Sequence, residues 1–476
     1  MKILSGIEPK KVFDYFEEIS AIPRGSGNTE KIRSYCERFA ESRGLKYISD
    51  KAGNIVIFKP ACGCESSEPV IIQGHLDMVC EKTAETEIDF ENDPIRLDTD
   101  GEYVFAKGTT LGGDDGIAVA MCLALLDSDD IRHPPLEIVF TEGEETGMFG
   151  ATAFDASVLS GKRMINLDSE EEGVLWVSCA GGVRADIELN AVRESALGNG
   201  FEISVTGLHG GHSGAEIHKG YANANKVMGR VLDSLSEKCS FRIASICGGK
   251  MDNAITRDSH CVIVTDSEKV PETVKEISVG ILAEIKNADP DAKISVIPVR
   301  NIETAFDNRS TEAAVALLRE LPSGVIAMSR EIDGLVETSL NLGILSSDEN
   351  KINYSFSVRS GKNSEKEKLV ERLKSIAEKY SCKASFYGEY PAWEYKENSP
   401  LRDKITAAYN ELFGRDMTVA AIHAGLECGI FCGKINGLDC VSLGPDIFDI
   451  HTPSEKLSIS STERMWRCLL NVLETL

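Results

Sequence analysis

The chain has 476 residues, 42% hydrophobic and 27% charged, with a formal net charge of −25. That length calls for two or more domains in an otherwise ordinary globular composition. The charge argues against nucleic acid and anionic membranes as partners, and the best apolar run, 116–126, is too short to span a bilayer.

Taken in chain order, the first third alternates helix-like and strand-like segments. Residues 12–19 and 29–42 have helical periodicity, and 46–49 with 54–58 read as a hairpin. Three apolar runs of strand length follow, at 70–73, 136–141 and 163–167, with a helical stretch at 116–127 between the first two. This alternation predicts a mixed or parallel sheet covered by helices.

From about Val183 the pattern changes. A strand at 201–205, a helix at 222–235, strands at 241–246 and 261–265, a helix at 270–285 and a strand at 293–298 give the ferredoxin-like order β-α-β-β-α-β. Segments 311–320, 323–329, 337–345, 351–358, 365–380 and 383–387 repeat much of it, so an insert of two related halves is expected. The α/β character returns with a helix at 401–413, a strand at 440–443 and a terminal helix from about Ser461.

The chemistry-bearing residues fall where the early strands end: "VIIQGHLDMV", "LEIVFTEGEETG" and "RMINLDSEE". Open α/β sheets assemble their sites at the carboxyl ends of strands. His75 and Asp77, two apart, face the same way in extended chain, which suits a metal-binding imidazole braced by a carboxylate. Asp114 and Asp115 open an apolar helix after a Gly-rich loop, which could be no more than an acidic first turn. Glu144 and Glu145 are adjacent carboxylates that repel unless cations relieve them, and one of the pair could then serve as a base. Asp168 heads an acidic run, and His451 follows a Gly-Pro turn in "GPDIFDIHTPSE". Each has a bland reading as a turn or solvated loop. Five such residues at strand ends do not.

This ordered set, with "GTTLGGDDGIA", "GLHGGHSGAEIH" and "HAGLECGIF", resembles the co-catalytic dizinc peptidase family of carnosinases, aminoacylases, peptidase T and glutamate carboxypeptidases. It is similar to the family's bacterial dipeptidases over nearly the whole chain. The resemblance implies a dizinc exopeptidase-like α/β catalytic domain, 1–182 and 391–476, interrupted at 183–390 by an α+β lid of two ferredoxin-like halves. It makes Asp114 the carboxylate bridging two zinc ions, with His75 and Asp168 completing one and Glu145 and His451 the other. Asp77 would brace His75, and Glu144 would be the general base. A cis peptide is implied between Asp114 and Asp115. His212 would stabilise the oxyanion, Arg359 would grip the substrate's terminal carboxylate, and Asn253 and Gly425 would complete the substrate site. Spacing alone leaves Asp115 a rival to Asp114.

Imidazole with carboxylates suits zinc, with manganese or cobalt as substitutes. The expected function is metal-dependent hydrolysis of unblocked dipeptides, Xaa-His and broader. The alternatives are an amidohydrolase of N-acyl amino acids and a non-catalytic peptide-binding relative, which would have no need of Glu144. A small peptide is the expected partner, and the doubled lid leaves a monomer and a homodimer open. Residues 1–7 lack the apolar core of an export leader, so a cytoplasmic location and reduced thiols are expected for a chain of fourteen cysteines.

Overall fold

The computed structural model describes residues 3–64 and 68–476; the segment "PACGCESSEP", which reads in sequence as an exposed turn, lies partly outside the described residues, as does the start of the N-terminal segment. The chain divides into two compact units: Met1–Ser178 with Tyr395–Ala421 and Leu426–Leu476, and Cys179–Glu394 with Ile422–Gly425. Each has its own buried apolar cluster, as the length requires. No helix among the described residues is long and apolar enough to cross a membrane.

The first unit is built on an eight-stranded sheet in the order Lys46–Ser49, Ile55–Lys59, Leu136–Thr141, Val70–His75, Arg163–Asn166, Asp439–Ser442, Val174–Cys179, Thr418–Ile422. The expected hairpin closes with Lys46 opposite Phe58. The middle strands run parallel, with Val70–His75 between Leu136–Thr141 and Arg163–Asn166, and Asp439–Ser442 beyond. Their carboxyl ends therefore point the same way. Helix Gly113–Leu126 is buried along its whole length, as a helix apolar on every side must be. It starts earlier than the apolar pattern suggests because the two aspartates belong to its first turn, where their backbone is not helical. The bond between Asp114 and Asp115 is cis, as the resemblance implies.

The second unit holds a nine-stranded antiparallel sheet. One half runs Lys293–Val299, Asn199–Thr206, Ser259–Thr265, Arg242–Gly248, which is the fourth, first, third and second strand of a ferredoxin-like unit. The other half runs Lys383–Tyr390, Gly181–Asn190, Lys351–Ser360, Val336–Ser347. Read with helices Asn308–Glu320 and Asn363–Lys379, this is the same order, but its first strand, Gly181–Asn190, precedes the entire other half. The expectation of two consecutive halves is corrected: one is nested inside the other. The strand was legible after all, since Val183, Ala185, Ile187 and Leu189 alternate with polar residues and are buried. Gly248 opposite Leu345 joins the halves into one sheet.

Candidate active site

In the first unit, the carboxyl ends of the parallel strands bring the expected residues together. Asp114 lies between two imidazoles: Oδ1 is 3.1 Å from Nε2 of His75, and Oδ2 is 3.2 Å from Nε2 of His451. His75 Nε2 is also 3.5 Å from Asp168 Oδ1, and His451 Nε2 is 3.0 Å from Glu145 Oε1. His75, Asp114 and Glu145 place ligand atoms within 4.8 Å of one another, as do His75, Asp115 and Asp168, and Asp114, Asp168 and Glu170. Asp115 is otherwise engaged. Its Oδ2 accepts the backbone N–H of His75 at 3.0 Å, binding the helix to the strand.

Asp77 does more than brace His75. The imidazole's Nδ1 meets the Asp77 carbonyl at 3.0 Å and its Oδ1 at 3.4 Å, which turns Nε2 toward Asp114. The same carboxylate accepts the N–H of Glu144 at 3.1 Å and of Glu145 at 3.4 Å, and the Ser26 hydroxyl at 2.8 Å. One buried aspartate thus orients a histidine and the loop carrying both glutamates.

The electrostatics are those of crowded carboxylates. Burial with Asp168 nearby holds the Glu144 carboxyl well above its ordinary range, and the same causes raise Asp115. Burial beside Asp168 and Asp114 pushes Glu170 up to about 8. Hydrogen bonds that its Nε2 makes to the Asp114 and Glu145 carboxylates push His451 up to about 10. Burial pulls His75 down, but the surrounding carboxylates outweigh it and raise it. Asp114, bonded to both imidazoles, is lowered despite its burial. Positive charge is what this cluster is short of.

Several supporting residues gave no usable signal in the sequence. Glu455 is 2% exposed and accepts the backbone N–H groups of Leu111, Gly112, Gly113 and Asp114 at 2.7–3.3 Å, fixing the loop that presents Asp114. Arg24, also buried, donates to the carbonyls of Leu76, Asp77 and Gly112. Glu427 accepts from Gln73 Nε2 and Thr141 Oγ1, each at 2.6 Å, while Asn166 Nδ2 donates to Gln73 Oε1 at 2.6 Å. This chain ties together the three strands that end in ligand candidates. Glu172, at the end of the acidic run that Asp168 heads, is bound by Arg464, Arg415 and Tyr409, which anchors the segment after Asp168.

The remaining expected residues lie in the second unit. His212 accepts the N–H groups of Gly214 at 3.3 Å and Ala215 at 3.0 Å on Nδ1, so its proton is on Nε2. Burial and the neighbouring Arg359 lower its pKa, keeping it neutral. A Cβ on Gly214 would lie 2.6 Å from the His423 carbonyl, 3.0 Å from the His212 ring and 3.3 Å from Arg359 Nε. Glycine is therefore what lets these three meet. Arg359 donates from Nη1 to the Tyr390 hydroxyl at 3.0 Å, and Gly425 packs on the same ring. Asn253 sits in a loop whose backbone is held on both sides: Asn341 Nδ2 donates to the carbonyls of Asp252 and Ala254, and Ser213 N–H donates to that of Asn253. Tyr390 and His423 had not been singled out. His209, by contrast, stacks on Tyr221 at 4.8 Å, away from this group's contacts.

The chain is 38% identical to the cytosol non-specific dipeptidase of Escherichia coli K12, over all of this chain and 99% of that protein. Its structure matches the aminoacylhistidine dipeptidase of Vibrio alginolyticus with a TM-score of 0.94 at 34% identity, covering 99% of this chain and 98% of the other. The aminopeptidase PepT of Bacillus cereus, 15% identical with a TM-score of 0.57 and 98% of each chain covered, shares the fold. The family model for peptidase family M20/M25/M40 matches residues 71–475. The chain belongs to that peptidase family.

Proposed function

We propose that the protein is a cytoplasmic metallodipeptidase that hydrolyses unblocked dipeptides, Xaa-His among them. The observation that carries this is Asp114, whose two oxygens face two imidazoles, each with a further carboxylate of its own. The donors fit a pair of zinc ions, with manganese or cobalt as substitutes: His75, Asp114 and Asp168 would hold one, and Asp114, Glu145 and His451 the other. When bound, such a pair supplies Lewis acidity to the scissile carbonyl and acidifies a water. The two named dipeptidases above support both the reaction and, for the E. coli protein, the compartment.

The chain's own residues divide the remaining work. Glu144, held next to Glu145 by Asp77, takes a proton from the attacking water and returns it to the departing amine. His212 offers Nε2–H to the developing oxyanion. Arg359 has no carboxylate within ion-pair distance among the described residues, although the protein has 76 acidic residues. Its guanidinium suits a free C-terminal carboxylate, with Asn253 and Gly425 completing the substrate contacts.

The test is a panel of dipeptides, free, N-acylated and C-terminally amidated, assayed on protein of measured metal content. Rapid turnover of the free dipeptides alone supports the proposal. Preference for the N-acylated compounds would assign an N-acyl amino acid amidohydrolase, and no turnover by metal-loaded protein would assign a binding protein.

A further inference from the structure

We propose that Tyr390 is a further substrate-binding residue, whose hydroxyl donates to the same terminal carboxylate that Arg359 grips. The inference rests on the reading of Arg359 given above. The hydroxyl accepts from Arg359 Nη1 at 3.0 Å, and no acceptor takes its own proton among the described residues. A phenol can accept and donate at once, so one O–H is left over beside an unpaired guanidinium. Arg359 Nε, also buried, has no partner either. Two unused donors on neighbouring groups are costly unless an acceptor joins them, and a carboxylate carries enough lone pairs to satisfy both.

The position is built rather than incidental. A Cβ on Gly425 would lie 2.7 Å from the Tyr390 ring, and one on Gly182 would lie 2.6 Å from it. Any side chain at either place would displace the ring, so both glycines are needed to seat it. Gly182 and Tyr390 are also paired across neighbouring strands, just beyond a register shift that follows Tyr387. Gly425 thereby gains a role distinct from direct substrate contact: it clears space for the tyrosine.

The experiment compares Tyr390→Phe with wild type on a free dipeptide and its C-terminal amide, using metal-loaded enzyme. The ring, and hence the packing against both glycines, is kept. KM for the free dipeptide should rise about tenfold, as expected for one hydrogen bond to a charged group, with kcat and the amide's kinetics little changed. Gly425→Ala, which displaces the ring without removing the hydroxyl, should give the same acid-selective loss. An unchanged KM in Tyr390→Phe, or equal losses on acid and amide, would overturn the inference. Arg359→Ala is the control for the reading beneath it. If that variant loses acid and amide alike, the carboxylate site itself is wrong. If it is acid-selective while Tyr390→Phe is silent, only the tyrosine is misassigned.

Discussion

The two groups of candidate residues are electrostatic opposites. In the first unit, Asp77, Asp114, Asp115, Glu144, Glu145, Asp168, Glu170 and Glu427 crowd around two imidazoles and one buried arginine, and burial beside other carboxylates raises the pKa of several of them. In the second, Arg359, the His212 ring and the His423 carbonyl meet around Gly214, Arg359 donates to the Tyr390 hydroxyl, and the His423 ring faces the Ser339 hydroxyl. The first is short of cations and the second is short of an anion. Interiors do not normally tolerate either condition, because an unpaired buried charge is costly. Each group is thus complementary to a ligand of the opposite charge.

The largest effect that sharpens this contrast should come from the base. Glu144→Gln removes the proton acceptor and leaves the proposed ligands in place, so kcat should fall by roughly 10²–10⁴-fold with metal content unchanged. Loss of metal in that variant would mean that Glu144 and Glu145 have exchanged roles. Next comes the anion side. Arg359→Ala should cost about 2–5 kcal/mol in kcat/KM for free dipeptides and little for their amides, with Lys only a partial rescue. A weaker effect is expected one step behind the ligands. Glu455→Gln replaces a carboxylate that accepts four backbone N–H groups, and should lower metal affinity about 10–100-fold in chelator competition. An unchanged affinity would show that the Asp114 loop holds its shape without that anchor.

The smallest effect concerns pH. His423 is buried, its Nε2 2.7 Å from the Ser339 hydroxyl, and burial beside Arg359 and His212 pushes its pKa down to about 3. An unfolded histidine titrates near 6.5, so below that pH the unfolded chain takes up a proton that the folded one does not. The stability contributed by the neutral ring is therefore lost as pH falls from 6.5 toward 3. His423→Gln should flatten the decline in urea stability between pH 6.5 and 5. Identical slopes would contradict this.

The legibility of the two regions differs as well. The carboxylate-rich group was readable because strand ends concentrate chemistry: His75, Glu144 with Glu145, and Asp168 each lie at or just beyond the end of an apolar run. Spacing could not separate Asp114 from Asp115; that took a tertiary contact, the His75 N–H on Asp115. Nor could it reveal Glu455, since one acid four residues after His451 looks like any polar loop. In the second unit, helices and strands were readable by period, but nesting was not, because the pairing of Gly181–Asn190 with Lys351–Ser360 joins distant segments. Tyr390 was hidden for the same reason: what marks it is two glycines that reach it only in the fold.

The central claim is that the carboxylate-rich group must be charged with two cations for a dipeptide to be cleaved. It is tested most directly by titrating metal-free protein with zinc while following hydrolysis of an unblocked dipeptide. Activity should be negligible without metal and should level off at two equivalents per chain. Full turnover in the metal-free protein, or a plateau at one equivalent, would contradict it.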